Sequence, residues 1–438
     1  MTRVLLFSHT TGYQLRAFND AAAELGIHLL FATDRCHMLD DPWQDHAIPV
    51  RFHDIGYSLE AIRRAAEHVA VDGLIAVGDR PVVLAAHAAA ALRLPWHTAD
   101  GASASADKRR SRAALAAAGL PSPAFAVVRA DTVDSDRTDA GSVGYPCVLK
   151  PVGLSGSRGV MRANDPGEFA AAYQRICALL ARPQVRAARA GLEDEILVES
   201  FIPGREFAME GVMTEGRLTV FAIFDKPDPL DGPFFEETIY VTPSRLSDAE
   251  QRAIESTVQQ AAVTLGLRHG PVHAECRVTD NGDVYVLEVA ARPIGGLCSR
   301  VLRFARRDSA GGPERTAPRP DDHWWLEHVL IEHAVRRPID RYERERGGAA
   351  VRMVPIPARG LLKGVSGEED ARRIPGVDEI RITAKRDQLL EPLPDAGSYL
   401  GFIFARGAAP ADAERAVREA HARLHFDIAA PIEVVPNR

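Results

Sequence analysis

HAECRVTDNGDVYVLEVAARPIGG, residues His273 to Gly296, reads as a β-hairpin around which the rest of the chain arranges itself. Two valine-rich runs flank Asn281-Gly282, the strongest short signal for a two-residue turn. Such a turn predicts that Asp280 faces Asp283, Arg277 pairs with Val286, Cys276 with Leu287, and Glu275 with Glu288. Alternation then puts His273, Glu275 and Arg277 on one face, beside Glu288, Ala290 and Arg292. Carboxylates directly opposite each other have Cβ atoms roughly 5 Å apart, where like charges repel. A cation between them relieves the repulsion, and hard oxygen ligands suit Mg²⁺. The plainer reading is a solvated face on which neighbouring arginines balance the acids.

Composition narrows the classes. At 438 residues the chain is too long for one small core and implies several domains. A formal net charge of -7 offers no basic excess to displace counterions, which argues against a nucleic-acid partner. Cys36, Cys147, Cys177, Cys276 and Cys298 are scattered without CxxC spacing, as expected of free thiols in a reducing compartment. The opening MTRVLLFSHTTGYQ holds too short an apolar run for a signal peptide, and nothing approaches a membrane span. A cytoplasmic location is expected. Of 53 basic residues only Lys108, Lys150, Lys226, Lys363 and Lys385 are lysines, so each marks a place where a compact point charge is chosen over a guanidinium.

Residues 1 to about 105 alternate strand and helix: strands at Val4–Phe7, His28–Ala32 and Leu74–Val77, helices at Gln14–Leu25 and near Ser58–Ala70. This predicts a small parallel α/β layer. Ser8–Gly12 follows the first strand without a GxGxxG, so it reads as a loop and not as a dinucleotide site. Asp107 caps a helix to about Ala118, with Lys108 in its first turn, either solvated or held for an anion. A buried strand ends at Lys150 and runs into Gly153-Leu-Ser155-Gly156-Ser157-Arg158-Gly159 before a strand resumes. Glycines at that density let backbone N–H groups approach phosphate oxygens, and the missing Gly-Lys-Ser/Thr excludes a Walker A loop. Arg182–Arg189 reads as a solvated surface, residues 306–322 as a mobile loop, and His323–Val335 as an amphipathic helix. From Gly360 the order is strand, helix, strand, strand, helix, strand, a compact α+β unit.

Taken together, Val148-Leu-Lys150-Pro151, the glycine loop, Val198-Glu199-Ser-Phe201-Ile202-Pro-Gly-Arg-Glu206, His273-Ala-Glu275 and Glu288-Val-Ala-Ala-Arg292-Pro-Ile-Gly295-Gly296 resemble the ATP-grasp superfamily, and within it the L-amino acid ligases. The resemblance covers about residues 106–300. It implies a mixed α/β and α+β architecture: a Rossmann-like pre-grasp domain over 1–105, an ATP-grasp domain over 106–305 with its lid at about 145–203, and a C-terminal domain over 323–438. ATP would be held by Lys108, Lys150, Ser155, Gly156, Ser157 and Gly159, with adenine near Glu199, Phe201 and Ile202 and the ribose on Glu206. Glu275 and Glu288 would hold Mg²⁺, with Mn²⁺ as the alternative ion, and Arg292 would steady the transferred phosphoryl group. Lys226, His273, Gly295 and Gly296 would meet substrate. Other members carry asparagine at the position of Ala290, so one oxygen ligand is missing here. The implied reaction joins a carboxylate to an amine through an acyl phosphate, with amino acids as substrates and neither membrane nor nucleic acid as partner. A homodimer, an acceptor on a carrier protein, a biotin-carboxylase-like activity and a non-catalytic nucleotide-binding module remain the open alternatives.

Overall fold

The computed structural model describes residues 1–9, 14–34, 47–130, 140–187, 194–307 and 323–430. Cys36, residues 10–12 of the first loop, residues 188 and 189 of the arginine-rich stretch, and 308–322 of the expected mobile loop lie outside them. Strands β1 (Arg3–Ser8), β2 (His28–Thr33), β3 (Ile48–Pro49) and β4 (Gly73–Val77) form a parallel sheet in the order β3-β2-β1-β4. Helix α1 (Leu15–Leu25) ends where Gly26 turns left-handed, and α2 (Ile55–His68) opens where Asp54 accepts from the Tyr57 N–H at 3.0 Å. Helices α3 (Pro81–Leu92) and α4 (Ala99–Ala106) follow, and then α5 (Lys108–Ala117), which Asp107 caps as expected.

A second sheet, of strands β5 (Phe125–Arg129), β6 (Cys147–Pro151), β7 (Met161–Ala163) and β8 (Glu195–Ser200), runs β5-β8-β6-β7. Its strands β6 and β7 are the antiparallel arms of the glycine-loop hairpin, and a helix over Pro166–Ala181 covers it around Phe169, Ile176 and Leu179.

The largest sheet begins with β9 (Arg205–Thr214), β10 (Arg217–Asp225), β11 (Ile239–Thr242), β12 (Gly270–Val278) and β13 (Val284–Ala290). Strands β14 (Arg303–Arg306), β15 (Trp324–Trp325) and β16 (Tyr342–Arg344) form a small separate sheet. The remaining strands are β17 (Gly348–Val354), β18 (Gly360–Ser366), β19 (Val377–Ile382), β20 (Leu389–Leu390), β21 (Gly401–Gly407) and β22 (His425–Ala429). Only β18, β20 and β22 make a sheet of their own. Strands β17, β21 and β19 extend the large one, in the order β13-β12-β9-β10-β11-β17-β21-β19. The C-terminal segment is therefore the continuation of the central sheet. One face of that sheet is covered by the helix Asp248–Leu265, opened by a Ser247/Glu250 capping box.

The hairpin that anchors the sequence reading has a different turn from the one expected. Val278 pairs with Val284 and the Thr279 N–H donates to the Asp283 carbonyl at 3.0 Å, so Asp280-Asn281-Gly282 is a three-residue loop with Gly282 left-handed. Arg277 accordingly faces Tyr285, and Cys276 faces Val286, one residue off the two-residue register. A β-bulge at Leu287 then absorbs the slip, and Glu275 does face Glu288. The expected pairing of Glu275 with Glu288 is real, but a bulge creates it.

The helix expected as amphipathic in His323–Val335 occupies Leu326–Ala334 and is buried on every side. It lies between the first sheet and the central one, so its polar residues need internal partners. Glu327 accepts from Ser299 at 2.8 Å, Glu332 from Tyr342 at 2.7 Å, and His333 Nε2 meets Thr214 Oγ1 at 2.9 Å. His333 stacks on His269 with ring centroids 4.3 Å apart. Nearby, His97 Nδ1 accepts from the Arg268 N–H while Nε2 donates to the Pro271 carbonyl, an arrangement that requires the neutral ring. Burial pushes His97 down to about 4 and His333 to about 3, and lowers His269 as well.

These histidines set an acid limit on stability. A depressed folded-state pKa leaves stability intact above about 6.5 and erodes it as pH falls toward the folded value, because the unfolded chain takes up the proton first. His97 and His333 each contribute about 1.4 kcal/mol per pH unit across that window. Urea unfolding of His333→Gln between pH 6.5 and 4.5 is expected to show a slope flatter than wild type by about that amount; parallel slopes would exclude the cluster as the cause.

Candidate functional site

All of the residues nominated from the sequence except Gly159 and Lys226 line one cavity of about 280 Å³. It lies between the lid hairpin, the start of α5, and the face of the central sheet that carries Glu206 and Glu210 on β9, His273, Glu275 and Arg277 on β12, and Glu288 on β13. Pairing along that face is direct: Glu206 with Arg277 and Glu210 with His273.

At the lid end, Lys108 donates to the Leu154 carbonyl at 2.7 Å, which ties α5 to the glycine loop. Lys150 sits 2.7 Å from Glu199, whose other oxygen takes the Arg112 Nε. Burial alone would push the Glu199 carboxyl up, yet Arg112 and Lys150 together hold it at about 2. Arg112 also donates to the Leu287 carbonyl. Sequence reading passed over Arg112, although it stands one helical turn from Lys108 and so on the same face of α5. Phe201 lies under Arg162 at 4.0 Å and beside Arg277 at 5.0 Å, and the Ile202 carbonyl accepts from Arg277 at 2.8 Å. Gly204 makes the turn into β9; a Cβ there would come within 2.2 Å of the Val278 carbonyl oxygen.

The centre is a buried ionic cluster. Lys226 is only 2% exposed, and its ammonium lies 2.8 Å from Glu206, 2.5 Å from Glu237 and 3.3 Å from Glu275. Glu206 also accepts from Arg277 at 3.0 Å. Burial opposes ionisation of Glu275, but Lys226 and His273 outweigh it and hold the carboxyl well below the usual range. Glu237 is pushed up to about 7 by burial and by Glu275 and Glu206, against the pull of Lys226. Among the described residues, Glu206, Glu237 and Glu275 form a set whose carboxylate oxygens lie within 4.8 Å of one another, a donor set of hard oxygens around a cation-sized position that Lys226 now serves. Glu237 was missed, since nothing local distinguishes Phe234-Phe-Glu-Glu237 from any loop acid.

Behind this cluster, the fully buried Glu210 accepts from His273 Nδ1 and from the Ile294 N–H, both at 3.0 Å. Burial disfavours the imidazolium, but Glu210 and Glu275 overcome it and push His273 up to about 9. The Ile294 carbonyl accepts from Gln14 at 2.6 Å, so the loop carrying Gly295 and Gly296 is pinned from both sides. Arg292 Nε meets Asp79 at 2.5 Å. Asp79 sits just past the carboxyl end of β4, where open α/β sheets present ligand groups. The first domain thus reaches into the site with a residue 213 positions away.

The lid is latched. The Gly159 N–H donates to the Pro394 carbonyl at 2.8 Å and Arg158 Nε to the Asp395 carbonyl at 2.9 Å. Arg175 meets the Asp395 carboxylate at 2.6 Å, while Arg182 reaches both Glu391 at 3.0 Å and Asp395 at 3.2 Å. Arg182, expected as solvated surface, is part of this network because the C-terminal segment folds back over the lid.

Residues 143–301 match the model of the ATP-grasp domain, residues 19–96 that of the ATP-grasp N-terminal domain, and residues 352–429 that of L-amino acid ligase C-terminal domain 2. The chain carries an ATP-grasp domain. The ATP-grasp chain is 33% identical over 208 residues to a D-alanine–D-alanine ligase of Aromatoleum aromaticum, covering 46% of this chain and 62% of that one. It is 28% identical over 249 residues to an alanine–anticapsin ligase of Bacillus amyloliquefaciens, covering 54% of this chain and 52% of that one. It thus spans only part of the length of these curated relatives. The crystal structure of an L-amino acid ligase from Bacillus licheniformis shares the ATP-grasp architecture with a TM-score of 0.79 at 24% identity, over 98% of this chain and 99% of that one. Among the described residues no helix is long and apolar enough to cross a membrane.

Exposed ion pairs are worth about 0.2–1 kcal/mol each, so the latch holds through the convergence of three arginines on one short segment and not through any single bond. Asp395→Ala is expected to raise protease cleavage within the glycine loop several-fold while shifting global stability by no more than about 1 kcal/mol. Cleavage at the wild-type rate would show that the Asp395 carboxylate does not hold the lid.

Proposed function

We propose that this protein is an ATP-dependent carboxylate–amine ligase that joins two amino acids, or an amino acid and a related amine, through an acyl phosphate, releasing ADP and phosphate. The observation that carries this reading is the convergence, in one cavity, of two lysines, a glycine-rich lid, the opposed Glu275 and Glu288, and Arg292. The named activities of the relatives support it. The four-part division into pre-grasp domain, ATP-grasp domain, linking loop and C-terminal domain, a cytoplasmic location, and free amino acids as substrates belong to the same proposal.

In this reading Lys108 and Lys150 face the ATP phosphates, and Glu199 orients Lys150 through its 2.7 Å contact. Ser155, Gly156 and Ser157 offer hydroxyl and backbone donors, which a glycine-rich loop can bring close to phosphate oxygens. Glu275 and Glu288 are the residues that would hold Mg²⁺ or Mn²⁺, with Glu237 within reach of Glu275 in place of the oxygen ligand that Ala290 lacks. The metal supplies charge neutralisation between phosphate groups when bound. A substrate carboxylate oxygen attacks the γ-phosphorus and ADP leaves; the amine then attacks the acyl carbon, loses a proton and expels phosphate. Asp79 fixes the guanidinium of Arg292 through Nε, so its planar fork meets the phosphoryl oxygens in one orientation. Glu210 orients the His273 ring and pins Ile294, which sets the direction of the Gly295 and Gly296 amides. The latched lid keeps water from the acyl phosphate.

ATP, magnesium and a panel of amino acids should yield ADP and phosphate, and hydroxylamine should trap the activated acid as a hydroxamate. Release of AMP and pyrophosphate would mean an adenylate and overturn the mechanism. Glu275→Gln and Glu288→Gln should each lower turnover by at least about a hundredfold with the near-UV circular dichroism unchanged, because the charged anchor for the cation is lost.

A further inference from the structure

The two ends of the cavity lie in different sheets. Lys150 and Glu199 stand on β6 and β8 of the lid sheet, whereas Glu275 and Glu288 stand on β12 and β13 of the central one. A lysine and a cation that serve one phosphate chain must keep a fixed separation, because such catalysis is mostly positioning. Arg112 on α5 spans the two sheets. It is 2% exposed, with Nε donating to Glu199 and Nη2 to the Leu287 carbonyl.

Glu199 takes Arg112 on one oxygen and lies 2.7 Å from Lys150 through the other, so its orientation decides where that ammonium sits. Leu287 is the residue that the β-bulge leaves without a partner on β12. Because β13 is the outermost strand of its sheet, no further strand holds the bulge in shape. Its outward groups are met instead from α5 and the turn after it. Arg112 takes the Leu287 carbonyl, and the Pro121 carbonyl accepts from the Val286 N–H at 3.2 Å. Loss of the bulge would slip β13 by one residue and turn Glu288 to the other face. A guanidinium holds two acceptors in fixed directions, which an ammonium on a flexible stem does not.

We propose that Arg112 is a positioning residue: through Glu199 it fixes Lys150, and through Leu287 it holds the bulge that brings Glu288 opposite Glu275. The proposal rests on the ligase reading for its nucleotide and cation, and it adds the residue that keeps the two ends of the site in register.

Three variants separate the two arms. Isothermal titration with a non-hydrolysable ATP analogue reads the lysine arm. Mn²⁺ affinity of the nucleotide-saturated protein, followed by electron paramagnetic resonance, reads the carboxylate arm. Glu199→Gln spares the Leu287 bond, so it should weaken the analogue at least about tenfold and Mn²⁺ less than about threefold. Arg112→Lys keeps a charge beside Glu199 but loses the fork, so it should do the reverse. Arg112→Met combined with Glu199→Gln removes both buried charges, which protects the fold, and should weaken both ligands. Wild-type Mn²⁺ affinity in folded Arg112→Lys and in the double variant would overturn the inference. Phosphate release by the wild type from ATP and an amino acid pair would then leave the ligase reading intact. A wild type that bound both probes but released no phosphate with any pair would sink the ligase, and the two affinities would still decide the role of Arg112. Binding of neither probe by the wild type would overturn both.

Discussion

The site depends on an arrangement that electrostatics disfavours: carboxylates facing one another across neighbouring strands of one sheet. Glu206, Glu237 and Glu275, each partly buried at the cavity wall, converge on the buried ammonium of Lys226, which holds them together. Taking such charges out of water is costly, and their mutual attraction repays the cost only with good geometry. Removing one member of a buried pair therefore costs about 3–5 kcal/mol, mostly through the charge left behind. The rigid sheet is what makes the arrangement tenable, since β9 and β12 fix where Glu206 and Glu275 point before any ligand arrives, while Glu237 comes from the loop before β11. A lysine in this place would suit the proposed site for a metal and phosphates. A compact ammonium on a flexible stem can exchange partners more easily than a guanidinium fork.

Much of this was legible in the sequence because it is local. The strand–helix alternation of residues 1–105, the cap at Asp107, the glycine hairpin and the capping box at Ser247 are each decided within a few residues. The pairing of Glu275 with Glu288 was also foreseen, but through a turn that the chain does not make. Asn281-Gly282 serves equally in a two-residue and a three-residue loop, and the compensating bulge at Leu287 has no local signature. The misjudged elements share one physical cause. Helix Leu326–Ala334 and Arg182 were judged by their own polarity, and both are satisfied by partners distant in the chain. Asp79, Arg112, Glu210 and Glu237 were missed for the same reason. Asp79 and Arg112 left a trace, one at the carboxyl end of a parallel strand and the other a helical turn from Lys108. Glu210 looked like any residue of an alternating strand.

The continuity of the central sheet changes how the C-terminal segment is understood. A domain joined only by a linker would meet the nucleotide-binding core across a surface with few backbone bonds. Here β17 pairs with β11 through four residues, so the main-chain ladder runs unbroken from the carboxylates to the C-terminal strands. Displacing that segment would expose the edge of β11 and uncover Tyr240, Ile294 and Leu297 in one step, because they share a cluster with Val351, Met353 and Phe402. The segment is thus bound to the core by hydrogen bonds and by burial, and its loops inherit that rigidity.

One consequence concerns the order of events. The same stretch of chain, Glu391 to Phe402, provides the latch for the lid at its start and part of the cavity wall at its end. Gly397 lies close to Gly156 between these two functions, where a Cβ would come within 3.1 Å of the Gly156 carbonyl. Phe402 in the cavity wall is therefore only a few residues from Asp395, which holds Arg158, Arg175 and Arg182 of the lid. Lid contacts and the cavity wall share one short, doubly anchored loop, so any coupling between lid closure and cavity occupancy is reciprocal. In the proposed ligase reaction, an acyl phosphate formed under the latched lid would be enclosed beside that loop. Under that proposal, the shared loop would be the physical means of limiting loss of the activated intermediate to water.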